Sequence, residues 1–346
     1  MAYYSQSIVS PTAAEKHGKE FFKNPAGTGP YKLKEFKQNE YVSITANDEY
    51  WGGKQKIKQI VFKDIPEASA RLAALQNGTA QISKNINPEQ METLSEIPNM
   101  EIVKRDGFNI CYVAMNTKKP PFDNVKVRQA VNHAVNVDKL VKEIYQDAAT
   151  RAVNPLPAGA KDYYNDKIQP YEYDPEKAKQ LLAEAGYPNG LEIELWVTST
   201  PRPYIPRPLD VAQAVANDLT NAGFKVKLES YEWGIYSKMI NNGEHQVCFA
   251  GWIDPPEPNN YLNTMVLKSG KMFYETEELN SLAQQGLVTL DEQERAKIYK
   301  EMQQQIHDAA IMVPLTYMDM VLVKQKNLDI NFDTVGLPIF RDAELK

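Results

Sequence analysis

Between residues 174 and 250 the chain alternates helix-forming and strand-forming segments, and this order restricts the fold more than any other feature of the sequence. Asp174-Pro175-Glu176 supplies an N-cap acceptor, a proline suited to the first helical turn, and an early acid at the positive end of the helix. Ala178, Leu181, Leu182 and Ala185 follow at helical spacing, and Gly186 stands where the chain must turn left-handed. Strands are expected over 191–197, 225–230 and 246–250, with helices over 209–221 and 233–240 between them. A strand, a helix and another strand in succession imply an α/β layer with a partly parallel sheet.

The flanking segments extend this reading. Strand-like runs cover 41–46 and 57–65, a helix covers 67–76 and ends at Gly78, and a second helix is expected after Asn87 with Pro88 in its first turn. Strands follow at 100–104 and 108–115. Asp123 or Asn124 caps a helix through Val135, and Asn136 or Val137 opens another through Tyr145. A long helix over 291–309 precedes strand-like runs at 312–317 and 320–323. The Pro-, Tyr- and Asp-rich stretch 151–173 is expected on the surface. The apolar runs 108–115 and 311–323 read as paired connectors around a block of about two hundred residues, a typical domain size.

Bulk properties remove several functional classes. Hydrophobic residues make up 42% and charged residues 24%, an ordinary globular balance, and no apolar run reaches the roughly 18–20 residues that cross a bilayer. A net charge of −6 with interleaved signs offers no attraction to nucleic acid or to an anionic membrane surface. Cys111 and Cys248 sit in separate apolar runs, as small buried hydrophobes do, and sequence leaves their pairing open. The first six residues hold neither a basic n-region nor an apolar h-region and are not expected to act as an export signal. The four histidines, His17, His133, His245 and His307, form no metal-binding spacing, and surface or capping positions are expected for them. There is no nucleophile elbow and no P-loop, and the Gly27-Thr28-Gly29 turn runs into proline. Binding without catalysis is expected, with no cofactor.

Two loops could hold a zwitterion. Thr200-Pro201-Arg202-Pro203-Tyr204 places an arginine in a proline-stiffened loop after a strand, and a guanidinium grips a carboxylate through two parallel hydrogen bonds. Gly251-Trp252-Ile253-Asp254-Pro255-Pro256 places an aspartate at the end of another strand, where it could receive an ammonium group. Trp252 adds an aromatic wall beside that acid, and Trp233 opens a helix as either a packing anchor or a site wall. Arginines and aspartates in such loops also serve as surface ion-pair partners and turn formers, and pattern alone leaves both roles open.

Several segments resemble the extracellular solute-binding proteins of family 5, which serve peptide and nickel ABC importers. Asn24-Pro25-Ala26-Gly27-Thr28-Gly29-Pro30-Tyr31 is similar to the family's NPxGTGPY block, with Tyr50-Trp51-Gly52-Gly53 at the usual distance. Pro121-Phe122-Asp123-Asn124-Val125-Lys126-Val127-Arg128-Gln129-Ala130 looks like its FDxVxVRQA block, and Tyr173-Asp174-Pro175-Glu176-Lys177-Ala178-Lys179 like its YDPEKAK helix start. Arg202-Pro203-Tyr204, Tyr231-Glu232-Trp233-Gly234, Gly243-Glu244-His245-Gln246 and Gly251-Trp252 resemble the dipeptide-binding branch in the same order. The stretch from Glu257 to Met265 looks more like the oligopeptide-binding branch, so di- and oligopeptides both stay open.

The resemblance implies an α/β, periplasmic-binding-protein-like two-lobe fold (type II, cluster C) that clamps a peptide between its lobes. It assigns 1–108 to a partial first lobe, 109–315 to a complete ligand-holding second lobe, and 316–346 to a C-terminal return. Only about twenty residues precede the GTGPY block, so an N-terminally truncated chain is expected. By the same resemblance Arg202 holds the peptide carboxylate and Asp254 the α-amino group, with Trp252, Trp233 and Tyr204 around them. The implied partners are a peptide and the permease subunits of an ABC importer, and the implied setting is the periplasm or a cell-surface lipoprotein, as a monomer. The alternatives are a nickel-chelate, haem or opine binder of the same family, and a truncated scaffold or peptide-holding chaperone.

Overall fold

The computed structural model describes residues 8–84, 86, 90–105, 107–146, 148–333 and 336–346. The chain divides into two units, one of residues 1–103 with 321–346 and one of residues 104–320. These divisions fall a few residues outside the expected 109–315 block. The helix start expected at Asn87 and Pro88 lies outside the described residues.

In the first unit, α1 (Pro11–His17) begins after Ser10, whose hydroxyl accepts from the Ala13 N–H at 3.3 Å. Strands β1 (Tyr31–Lys37), β2 (Tyr41–Ala46) and β3 (Gln59–Lys63) form an antiparallel sheet in that order. Next come α2 (Ala68–Gln76), β4 (Ile82–Lys84), α3 (Met91–Ser95) and β5 (Met100–Arg105). Leu75, Leu94 and Met100 form a small apolar core there with Val323, which returns from the C-terminal segment.

The second unit is built on a six-stranded mixed sheet. Its elements run β6 (Asn109–Met115), α4 (Val125–Ala134), α5 (Val137–Glu143), β7 (Ala149–Arg151), α6 (Pro175–Glu184), β8 (Leu191–Thr198), α7 (Pro208–Asn221), β9 (Phe224–Tyr231), α8 (Trp233–Asn241), β10 (Val247–Ile253), a π-helical segment (Asn260–Lys268), α9 (Glu277–Val288), α10 (Glu292–Asp308) and β11 (Met312–Met318). The strand order is β7-β11-β6-β10-β8-β9, with β8 parallel to both β9 and β10 and β6 antiparallel to β10 and β11. The alternation read from the sequence is this parallel half of the sheet.

Local chemistry sets the helix ends. The side chains of Asn124, Asn136 and Asp174 accept N–H bonds from Lys126, Lys139 and Lys177 at 2.9, 3.0 and 2.9 Å. The open choices at the first two helices therefore resolve to Asn124 and Asn136. Gly186 leaves α6 with φ 97°.

Both faces of the sheet are covered at its central strands, which requires those strands to be apolar on both sides. On β6, Cys111, Val113 and Met115 face a core shared with α4, α6 and α7. Ile110, Tyr112 and Ala114 face a second core shared with α8, α9 and α10. Cys111 pairs with Gly251 and Cys248 with Ala114, so the two cysteines lie on different rungs and point to opposite faces. Both are free and buried, and burial pushes the Cys248 thiol up to about 12.

Two expectations are corrected here. Much of the 151–173 stretch is buried: Asn154 and Leu156 have no exposure, because Asn154 donates to the Asn165 carbonyl at 2.8 Å and its own carbonyl accepts from the Tyr317 hydroxyl at 2.6 Å. His133 and His245 are buried rather than at surface or capping positions, with His133 Nδ1–H donating to the Glu172 carbonyl and His245 Nε2–H to the Lys271 carbonyl at 2.8 Å each.

After β11 the chain re-enters the first unit. β12 (Met320–Gln325) lies between β4 and β5, and β13 (Leu328–Phe332) pairs with β14 (Pro338–Leu345). No helix among the described residues is long and apolar enough to cross a membrane.

Candidate functional site

The parallel strands β8, β9 and β10 all end at one edge of the sheet. From β8 the chain passes through α7, on one face, to β9. It then passes through α8, on the opposite face, to β10 on the other side of β8. The connections diverge at the carboxyl end of β8, where open α/β sheets leave a crevice for ligands.

The loop after β8 is a tight turn. Arg202 and Ile205 exchange backbone hydrogen bonds of 3.1 and 2.9 Å around Pro203 and Tyr204. Tyr204 turns inward against Gly251, where an added Cβ would come within 2.2 Å of the tyrosine ring. Burial raises the Tyr204 hydroxyl to about 12, with the Arg202 cation pulling the other way. At the start of α8 the Glu232 carboxylate accepts from the Gly234 N–H at 2.7 Å, and the Trp233 N–H donates to Thr200 Oγ1 at 3.3 Å. The second bond ties the β9–α8 junction to the β8 loop and brings Trp233 under Arg202, whose Cζ lies 4.0 Å from the ring centroid. Arg202 Nε is buried without a hydrogen-bond partner, and among the described residues no carboxylate pairs with this guanidinium.

Arg202, Tyr204, Trp233 and Trp252 line one cavity of about 380 Å³, built wholly from the 104–320 unit. Its size lies within the range of small-molecule sites. Asp254, two residues past Trp252, is not among its walls. The Asp254 N–H donates to the Phe108 carbonyl at 3.3 Å, and its own carbonyl accepts from the Tyr261 hydroxyl at 2.8 Å. Burial raises the Asp254 carboxyl above its usual range, Glu257 adds to the rise, and the Trp252 indole opposes it. Trp252 Nε1 is buried and makes no hydrogen bond of good geometry, yet it lies near enough to Asp254 to favour the ionised carboxylate. Glu257 itself is paired with Arg295. Asp254 is thus a partly desolvated carboxylate with an acid for its charged neighbour.

Sequence reasoning missed Lys271, which also lines the cavity. It is only 9% exposed, its Nζ donates to Asn241 Oδ1 and to the Ser269 carbonyl at 3.3 Å each, and burial lowers its pKa. Ser237 and Asn241 stand one and two turns after Trp233 on the cavity side of α8, and that four-residue spacing was available as a signal. Lys271 carried none. Among the described residues no group of three or more His, Cys, Asp or Glu side chains is placed to hold a metal.

A family model described as bacterial extracellular solute-binding proteins, family 5 Middle, matches residues 1–273. The Dipeptide-binding protein of Escherichia coli is 36% identical over 294 residues, covering 83% of this chain and 55% of the relative. Heme-binding protein A of Haemophilus influenzae is also 36% identical, over 85% of this chain and 54% of its own length. The chain thus spans about half the length of these curated relatives. Among solved structures, the ABC transporter-associated periplasmic binding protein DppA of Helicobacter pylori, in complex with peptide STSA, aligns with a TM-score of 0.85 at 33% identity, over 98% of this chain and 68% of that one. A dipeptide-binding protein from a Pseudoalteromonas species, in complex with Met-Leu, also aligns at 0.85, with 27% identity over 98% and 69%. The mixed α/β architecture is that of the periplasmic binding proteins.

Proposed function

This chain belongs to family 5 of the bacterial extracellular solute-binding proteins, and from that premise we propose that it is the substrate-binding component of an ABC importer and captures di- or oligopeptides. One observation carries the reading: Arg202 is a stacked cation with no acid partner among the described residues, set at a strand-end cavity. Its guanidinium receives the peptide carboxylate, for which its planar donors are suited. The desolvated Asp254 carboxylate receives the α-ammonium group, whose charge would offset the burial that now raises its pKa. Each such contact contributes about 1.5–3 kcal/mol, and stranding one charge without its partner costs about 3–5 kcal/mol. Peptides with both termini free are therefore favoured.

The protein binds without catalysing, works as a monomer beside permease subunits, and is placed in the periplasm or on the cell surface as a lipoprotein. Relatives that bind peptides support this reading, and the relative named for haem sets a comparison that the test must include. The test is a thermal-shift screen of the purified chain with di- to pentapeptides, haem and a nickel chelate. Saturable stabilisation by peptides alone is expected. Stabilisation by haem or nickel alone would replace the peptide reading, and no stabilisation by any ligand would remove it.

A further inference from the structure

The cavity holds a second cation besides Arg202. Trp233 and Asn241 are the first and last residues of α8, and eight residues of helix span about 12 Å. The Arg202 guanidinium stacks on the first and the Lys271 ammonium bonds to the last, so the two positive charges stand at opposite ends of one wall. Both partners of Lys271 are neutral oxygens, on Asn241 and Ser269, which leaves one of its three N–H donors to spare. Among the described residues neither cation has a carboxylate at ion-pairing distance, and the cavity walls include no acid. A lysine nine-tenths buried with neutral partners only is a costly arrangement, and an anion beside it removes most of that cost.

We propose that Lys271 is a specificity-determining residue that receives a second negative charge of the ligand, so that the preferred ligands are peptides with an acidic side chain near the C-terminal carboxylate. This rests on the peptide reading of the same cavity. Extended peptide advances about 3.3 Å per residue. With the ligand carboxylate on Arg202, a glutamate one or two residues before the C-terminus extends to the Asn241 end. A neutral side chain there leaves the ammonium with only its present partners.

The test is calorimetric titration of the chain with matched tripeptides: Ala-Glu-Ala against Ala-Gln-Ala, and Glu-Ala-Ala against Gln-Ala-Ala. At least one acidic peptide is expected to bind about fivefold or more tightly than its amide twin, the difference between a charge-assisted and a neutral hydrogen bond. That ratio shrinks as salt is raised and falls to near one in Lys271→Met. The ratio and its salt dependence are read on the unaltered chain, so the test survives if the variant does not fold. Equal binding of both twins, or a preference that persists in Lys271→Met, overturns the role of Lys271 while the peptide reading stands. Failure of all four peptides to bind overturns both.

Discussion

Arg202 Cζ sits 4.0 Å from the centroid of the Trp233 ring, although one residue lies in the loop after β8 and the other opens the helix after β9. The contact fixes a cation over an aromatic face at the carboxyl edge of a parallel sheet. The Trp233 N–H bond to Thr200 holds the two loops together. A stacked guanidinium keeps its edge donors free for a ligand while its face is occupied.

Arg202→Lys keeps the charge but loses both the stacking and the two-pronged donor geometry. Peptide affinity is expected to fall about thirtyfold, because each of those two features contributes roughly 1 kcal/mol. Calorimetry on the variant checks this. Affinity equal to the wild type would mean that the arginine serves only as a point charge.

Asp254→Asn separates binding from stability. The Asp254 carboxyl is raised by burial, so its ionised form works against the folded state at neutral pH, and that penalty is relieved as pH falls through the raised value. The amide removes the charge. The ligand-free variant is therefore expected to melt at the same temperature or higher at pH 7, while peptide affinity falls at least about tenfold. A lower melting temperature with unchanged affinity would make Asp254 a structural residue.

Gly251→Ala tests the packing that seats the arginine loop. The new methyl would meet the Tyr204 ring, well inside contact distance. Overpacking of this kind costs about 1–3 kcal/mol, visible as a lower urea midpoint. The cost should shrink on a Tyr204→Ala background, since the two changes share one space. An additive pair of effects would place the strain elsewhere.

Much of the parallel half of the sheet was legible because its signals are local. Asp174 caps a helix, Gly186 ends it, and the strands between helices either alternate apolar and charged residues, as 191–195 and 224–228 do, or run almost wholly apolar, as 247–253 does. The positions of Arg202 and Asp254 after strands could be read in the same way. Their surroundings could not, because the Arg202–Trp233 stack depends on how β8 and β9 pair. Lys271 is buried through contacts with Asn241, thirty residues earlier in the chain, and nothing near it in sequence announces that. The 151–173 stretch misled because its polar composition suits a surface, whereas the Asn154 backbone and the Tyr317 hydroxyl bond to each other inside the core. Helix α9 went unread although Thr276, Glu277 and Glu278 form an ordinary N-terminal signal for it.

His245 gives the unit an acid sensitivity. Its Nε2–H is taken by the Lys271 carbonyl, its Nδ1 is buried without a partner, and burial lowers its pKa to about 4. The unfolded chain therefore takes up the proton first, near the ordinary value of about 6.5. The stability that the neutral ring contributes is present above that value and is lost as pH falls from about 6.5 towards 4, up to about 3 kcal/mol in all. Denaturant unfolding of wild type and His245→Gln across that window checks it, with the variant expected to show the flatter profile. Parallel profiles would assign the acid sensitivity to other groups.

The most direct measurement is calorimetric titration with one tripeptide in four forms: free, N-acetylated, C-amidated, and blocked at both ends. If Arg202 holds the carboxylate and Asp254 the ammonium, each block weakens binding at least about tenfold. Amidation should then cost nothing further in Arg202→Ala, and acetylation nothing further in Asp254→Asn. Equal affinity for all four forms would contradict the account.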